Sequence, residues 1–112
     1  MEIGHKFIDD ILVINLFGEL YSEQSMMLNY KLQEFSNTTN LVILNCEELE
    51  YIDSKGLGII VKEQKLLREK GGKLVICAVT GKVKKVIKLT NFDKIISVYD
   101  NMEQALAGIR EK

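Results

Sequence analysis

The chain of 112 residues has no proline at all. Element ends must therefore be set by glycine and by clusters of Ser, Thr, Asn and Asp. Cysteine is scarce too, and Cys46 and Cys77 both fall within apolar runs, where free thiols behave as small hydrophobes. They read as reduced core residues. His5 is the sole histidine, and no CxxC or HxxxH spacing accompanies it, so no metal site is expected. Charge of one sign is lacking: the net charge is −1, which removes the global electrostatic case for nucleic acid or an anionic membrane. No apolar run approaches the roughly 18 residues that span a bilayer, so no membrane insertion is expected. The opening Met1-Glu2-Ile3-Gly4-His5-Lys6 is too polar for a signal peptide, and a cytoplasmic protein is the expectation.

What is present is an ordinary globular composition, 46% hydrophobic and 28% charged. The length fits one domain, 1–112, with enough chain to bury a core without staples. A monomer is the default, because the apolar faces can all be used internally.

Residues 3–8 form a weak first strand and Asp9-Asp10 a turn. Ile11 to Phe17 is a strong strand that ends at Gly18. The short turn predicts an antiparallel hairpin. Ser22 reads as the N-cap of a helix reaching Phe35, with Leu28, Leu32 and Phe35 on one face. Leu41 to Cys46 has the continuous apolar pattern of a strand buried inside a sheet, followed by a loop over 47–51. The next helix spans Lys55 to Lys70, buries Leu57, Ile60, Val61 and Leu67, and stops at Gly71-Gly72. Lys73 to Val79 is a further strand. Thr80 opens a short helix with Val83, Val86 and Ile87 inward and Lys82, Lys84, Lys85 and Lys88 in solvent. Ile95 to Tyr99 is the last strand. Asp100-x-x-Glu103 reads as the capping box of a final helix bearing Met102, Ala105, Leu106 and Ile109. Strands alternating with helices predict a single α/β domain: a mixed, mostly parallel five-stranded sheet with four helices, its first strand antiparallel at the edge.

One segment stands out: Ile52-Asp53-Ser54-Lys55-Gly56-Leu57-Gly58, between an apolar strand and an amphipathic helix. Ligands of open α/β sheets gather at this kind of strand-to-helix junction. Asp or Ser here is also a plain helix cap, with the glycines allowing close packing. If the Ser54 hydroxyl is exposed, a phosphate on it adds about −1.5 to −2 charge next to free helix N–H groups. Hydrolase and nucleotide signatures are missing. There is no G-x-S-x-G elbow, and Gly56-x-Gly58 is only a fragment of a phosphate-binding fingerprint. No catalytic residue and no cofactor is assigned.

The Asp-Ser-x-Gly-Leu-Gly motif follows an apolar strand and precedes a helix ending in Gly-Gly and the strand Lys-Leu-Val-Ile-Cys. With Gly18-Glu19-Leu20 after the second strand, essentially the whole chain resembles the STAS domain of bacterial anti-sigma factor antagonists. The resemblance implies that Ser54 is a phosphorylation site in a partner-switching cycle that regulates transcription. The unphosphorylated antagonist binds an anti-sigma factor that is also a serine kinase, which frees a sigma factor. Phosphorylation with ATP ends the complex, and a serine phosphatase resets it. The protein is then a substrate and no enzyme. Asp53, Lys55, Gly56 and Leu57 surround the switch; Glu19, Tyr21 and Ser22 form the expected partner-facing loop. By the 3.6 period, Ile59 and Leu66, with Glu63 and Lys70, lie on the helix face opposite Leu57, either as an exposed docking stripe flanking the switch or partly buried under a neighbouring element. Two residues depart from the family pattern. Tyr21 stands where Asp is common, and Lys55 where a second Ser or Thr is common. Lys55 either pairs with a phosphate or is simply solvated. The alternative is a non-catalytic STAS subunit of a lipid-transport or larger signalling complex.

Overall fold

A computed structural model describes residues 2–111, apart from the side chain of Ser22. Five strands lie in the order β1-β2-β3-β4-β5: β1 (Glu2–Ile8), β2 (Ile11–Leu20), β3 (Leu41–Ile52), β4 (Lys73–Cys77) and β5 (Val98–Tyr99). β1 runs antiparallel to β2 from Glu2↔Phe17 to Ile8↔Ile11, and the remaining neighbours are parallel. The helices are α1 (Ser22–Glu34), α2 (Ser54–Glu69), α3 (Gly81–Leu89) and α4 (Met102–Gly108). The expected mixed sheet with four helices and an antiparallel edge strand is what forms.

The apolar run of β2 explains the layering. Strand side chains alternate between faces, so Leu12, Ile14 and Leu16 join one core while Ile11 and Val13 join another. The larger core collects Leu28 and Leu32 of α1, Leu57, Ile60 and Leu67 of α2, and Val83 and Ile87 of α3. The smaller one packs Ala105 and Ile109 of α4 on the opposite face. Three crossover helices on one face follow from right-handed connections made repeatedly in one direction along the sheet. Cys46 and Cys77 are buried and unbridged.

Several boundaries differ from the expectation. β2 does not stop at Gly18; it runs to Leu20 through register shifts on either side of Gly18, which takes φ +94°. Residues 47–51 are strand, not loop, because the extended β2 pairs with them: Phe17↔Glu48, Gly18↔Leu49, Glu19↔Tyr51 and Leu20↔Ile52. β4 stops at Cys77 instead of Val79, since Ala78 turns to φ +62°. The expected strand over 95–99 shrinks to Val98–Tyr99, preceded by a 3₁₀ turn at Phe92–Lys94 that seats Phe92 and Ile96 in the core. The cap of α1 is Tyr21, not Ser22, and it makes no side-chain cap bond. The cap of α4 is Asn101, whose Oδ1 accepts from the Gln104 N–H at 2.9 Å, while Gln104 accepts from the Asp100 N–H. The same reciprocal logic operates one residue beyond the expected Asp100–Glu103 pair.

Candidate functional site at the β3–α2 junction

The extension of β2 and β3 carries the junction clear of β4, which pairs with β3 only from Leu41 to Asn45. The ladder ends with the Asp53 N–H donating to the Leu20 carbonyl at 3.2 Å. Asp53 then caps α2: its Oδ1 accepts from the Gly56 N–H at 2.8 Å. Ser54 is therefore the first helical residue and not the cap, and it is exposed, as is Lys55. Intrahelical bonding gives no partner to the first N–H groups of a helix. The N–H groups of Ser54 and Lys55 belong to this same first turn, beside the Ser54 hydroxyl.

Gly56 presses this turn onto the sheet. A Cβ there would stand 2.9 Å from both Ile52 Cγ1 and the Leu20 carbonyl oxygen. Leu57 anchors the same turn and is buried. The hydroxyl is thus held outward by a turn with little freedom to move.

Glu19, Tyr21 and Tyr51 flank the junction. The Tyr21 and Tyr51 rings lie 5.4 Å apart, tilted by 45°. The Tyr21 hydroxyl donates to Glu19, and that bond raises its pKa above the ordinary tyrosine value; desolvation and the charges of Glu19 and Asp53 add to the shift. Tyr21 is neither fully buried nor free: it is 41% exposed and braced by another aromatic. Tyr51 escaped the sequence reading because 47–51 looked like a loop. Its signal was the alternation of Leu49, Tyr51 and the intervening Glu50, which is a strand pattern. Glu19, Glu47, Glu48, Glu50 and Tyr51 line an open depression of about 450 Å³ beside the site, closed on its far side by Lys82.

The docking stripe expected on α2 is not one exposed surface. Ile59 is half-buried near the junction. Leu66 is 38% exposed but lies twelve residues beyond Ser54, about 18 Å along the helix. It faces a cleft of about 220 Å³ between α1 and α2, lined also by Leu32, Phe35 and Glu63. Glu63 is only 5% exposed, because this face of α2 packs towards α1, so for Glu63 the burial alternative holds. Gln33 Nε2 approaches its carboxylate at 3.5 Å, and desolvation raises its pKa. Ser22, expected in the partner-facing loop, has its side chain outside the described residues. His5 is exposed on β1, 4.7 Å from the Phe35 ring, and shares no pocket with Ser54 among the described residues. No cluster of three His, Cys, Asp or Glu side chains suited to a metal ion occurs among the described residues.

A model of the STAS domain matches residues 3–105. The Paenibacillus polymyxa anti-sigma F factor antagonist is 32% identical over 101 residues, covering 88% of this chain and 86% of its own. A Thermotoga maritima protein, named provisionally as an anti-sigma factor antagonist, is 32% identical over 110 residues, covering 96% of this chain and 97% of its own. The solved anti-sigma factor antagonist SpoIIAA, in its unphosphorylated form, superposes with a TM-score of 0.81 at 22% identity over 97% of this chain and 96% of its own. SpoIIAA of Bacillus has also been solved in a phosphorylated form, with a TM-score of 0.73 at 21% identity over 97% of this chain and 100% of its own.

Proposed function

The chain belongs to the STAS domain family, and from that premise we propose that it is an anti-sigma factor antagonist switched by phosphorylation of Ser54. The observation that carries the reading is the exposed Ser54 hydroxyl at the first position of α2, outside the cap that Asp53 forms. The curated relatives of similar length are named for this activity, and SpoIIAA is known with and without phosphate.

In the unphosphorylated state, the surface formed by Ser54, Lys55, Ile59, Glu19 and Tyr21, with Leu57 anchoring the turn from beneath and Ser22 following Tyr21 in the chain, docks an anti-sigma factor and thereby frees a sigma factor. That anti-sigma factor is also a serine kinase. The Ser54 Oγ attacks the γ-phosphorus of ATP, its bond to phosphorus forms as the bridge to ADP breaks, and the hydroxyl proton passes to a base of the kinase. The new dianion is tolerated by the helix terminus and by the adjacent N–H groups. A docked partner does not tolerate it, because a strongly hydrated charge now sits inside the contact and next to Asp53 in the chain. A serine phosphatase restores the hydroxyl. The chain supplies a substrate group and a surface, and no catalytic group. Lys55 follows on the same turn and is exposed, where it either pairs with the phosphate or stays solvated.

The experiment combines the protein, a kinase-type anti-sigma factor from the same genome and ATP, with mass spectrometry to locate the modification and gel filtration to follow the complex. We expect one phosphate, on Ser54, absent in Ser54→Ala, and loss of the complex as it accumulates. Binding without phosphate retains the antagonist and removes the switch. Absence of both binding and phosphate overturns the reading.

A further inference from the structure

We propose that the outer face of α3 is an adsorption surface for anionic phospholipid membranes, a role that does not depend on the Ser54 switch. α3 carries four lysines and no acid, and its apolar residues are segregated more sharply than those of α1 or α2. Val83 and Ile87 point into the core and are 1% and 2% exposed. At 100° per residue, Gly81, Lys84, Lys85, Lys88 and Leu89 fill the arc opposite them. These same five residues form one continuous open surface. Leu89 is 83% exposed, more than any other large apolar side chain among the described residues.

A solitary exposed leucine carries no meaning, and a row of lysines is usually a solvated face. Their juxtaposition is different. Gly81, having no side chain, leaves the lysine stems to flank a bare patch at the centre of the arc. The stems can lie along that patch while the ammonium groups reach outward. Leu89 then stands at the rim of a cationic field, at the depth where an apolar group enters the headgroup–acyl boundary. A phosphate backbone would use the lysines and leave the leucine in water. Single-stranded nucleic acid would call for aromatic side chains or arginine on this face, and it has neither. A membrane uses both features.

The acidic groups near α3 do not cancel the arc. Asp93 pairs with Lys88 at 3.2 Å and, with Asp100, lines a hollow that Lys84 and Lys88 share, but no ion pair among the described residues involves Lys84 or Lys85. Glu19, Glu47, Glu48 and Glu50 share an open depression with Gly81 and Lys82 at the first turn of α3, so they offset Lys82 and border the arc at Gly81. The contact is peripheral, since no helix among the described residues is long and apolar enough to cross a membrane. Three lysines and one leucine give reversible adsorption, not a stable anchor.

The test is co-sedimentation of the full chain with vesicles of phosphatidylcholine alone or mixed with phosphatidylglycerol, at low and physiological salt. Binding is expected only to the mixed vesicles and is expected to weaken with salt. Lys84→Ala and Lys85→Ala should each lower the affinity about fivefold and flatten the salt dependence. Leu89→Ser should also weaken binding but leave the salt dependence unchanged. All three side chains are exposed, so the variants should retain wild-type circular dichroism and melting. Equal binding to both vesicles, no binding to either, or a Leu89→Ser variant that binds like wild type overturns the proposal. Retention by single-stranded RNA in place of vesicles also overturns it and assigns the lysines to nucleic acid.

Discussion

Gly56 and Gly58 lie in one turn of α2 and have opposite reasons to be glycine. A methyl on Gly56 runs into Ile52 and the Leu20 carbonyl at 2.9 Å, whereas one on Gly58 meets nothing within 4 Å. Gly56→Ala should therefore cost about 1–3 kcal/mol from overpacking, offset in part by about 1 kcal/mol of helix propensity. Gly58→Ala should be stabilising by about 0.5–1 kcal/mol. Urea midpoints that move in opposite directions for the two variants would establish the difference. Gly56→Ala should also weaken partner docking, because the clash displaces the turn that holds Ser54 outward. Glu63 supplies a pH-dependent term. Desolvation raises its pKa from the ordinary 4.5, so the native state holds this proton more tightly than the unfolded chain does. The contribution of Glu63 to stability is thus greatest when it is protonated and falls as pH rises from about 4.5 through the raised native value. Glu63→Gln removes the charge and keeps a partner for Gln33. Its melting temperature should match that of wild type at pH 4 and exceed it at pH 7.

The extended β2–β3 ribbon is the element that makes the site. It places Tyr21 and Asp53 at adjacent strand ends and lifts both beyond the short β4. α4 plays a different part: it closes the second face of the sheet with Ala105 and Ile109. At seven residues it is short, and a helix of that length depends on packing and capping more than on propensity. Asn101→Ala removes the bond to the Gln104 N–H and should cost about 1 kcal/mol. The expected readout is a melting temperature lower by about 4–8 °C with the affinity for the anti-sigma factor unchanged. A parallel loss of affinity would tie α4 to the docking surface, which the two-faced architecture argues against.

Across the whole molecule, both thiols report on global opening. Cys46 and Cys77 belong to different cores, and burial raises the pKa of each, that of Cys77 to about 11. A neutral buried thiol is a poor nucleophile. Native protein at neutral pH should leave an aromatic disulfide reagent unreacted, both thiols should react in denaturant, and reductant should not shift the melting temperature. Fast reaction of either thiol in the native state would mean that its layer opens independently of the other.

Composition and periodicity alone determined the class of fold, the edge placement of the first strand and the inward faces of the helices. Each of these depends on local spacing, and the side chains that carry it (Leu12 and Ile14, Leu57 and Ile60, Val83 and Ile87) bury where their period predicts. The Asp-Ser-x-Gly segment was legible as a helix start for the same reason, since capping residues followed by a glycine are a pattern within one turn. Tertiary structure decided what depends on a neighbour. Residues 47–51 are a strand because β2 continues past Gly18 to pair with them, and the short alternation of Leu49 and Tyr51 among glutamates does not by itself reveal that pairing. Tyr51 becomes a support for Tyr21 only across that pairing. Glu63 is buried because α1 lies against its face of α2, which decided between an exposed stripe and a cleft. Asp53 and not Ser54 became the cap because the Leu20 carbonyl holds the Asp53 N–H at the end of the ladder, and Ser54 next to it was left exposed.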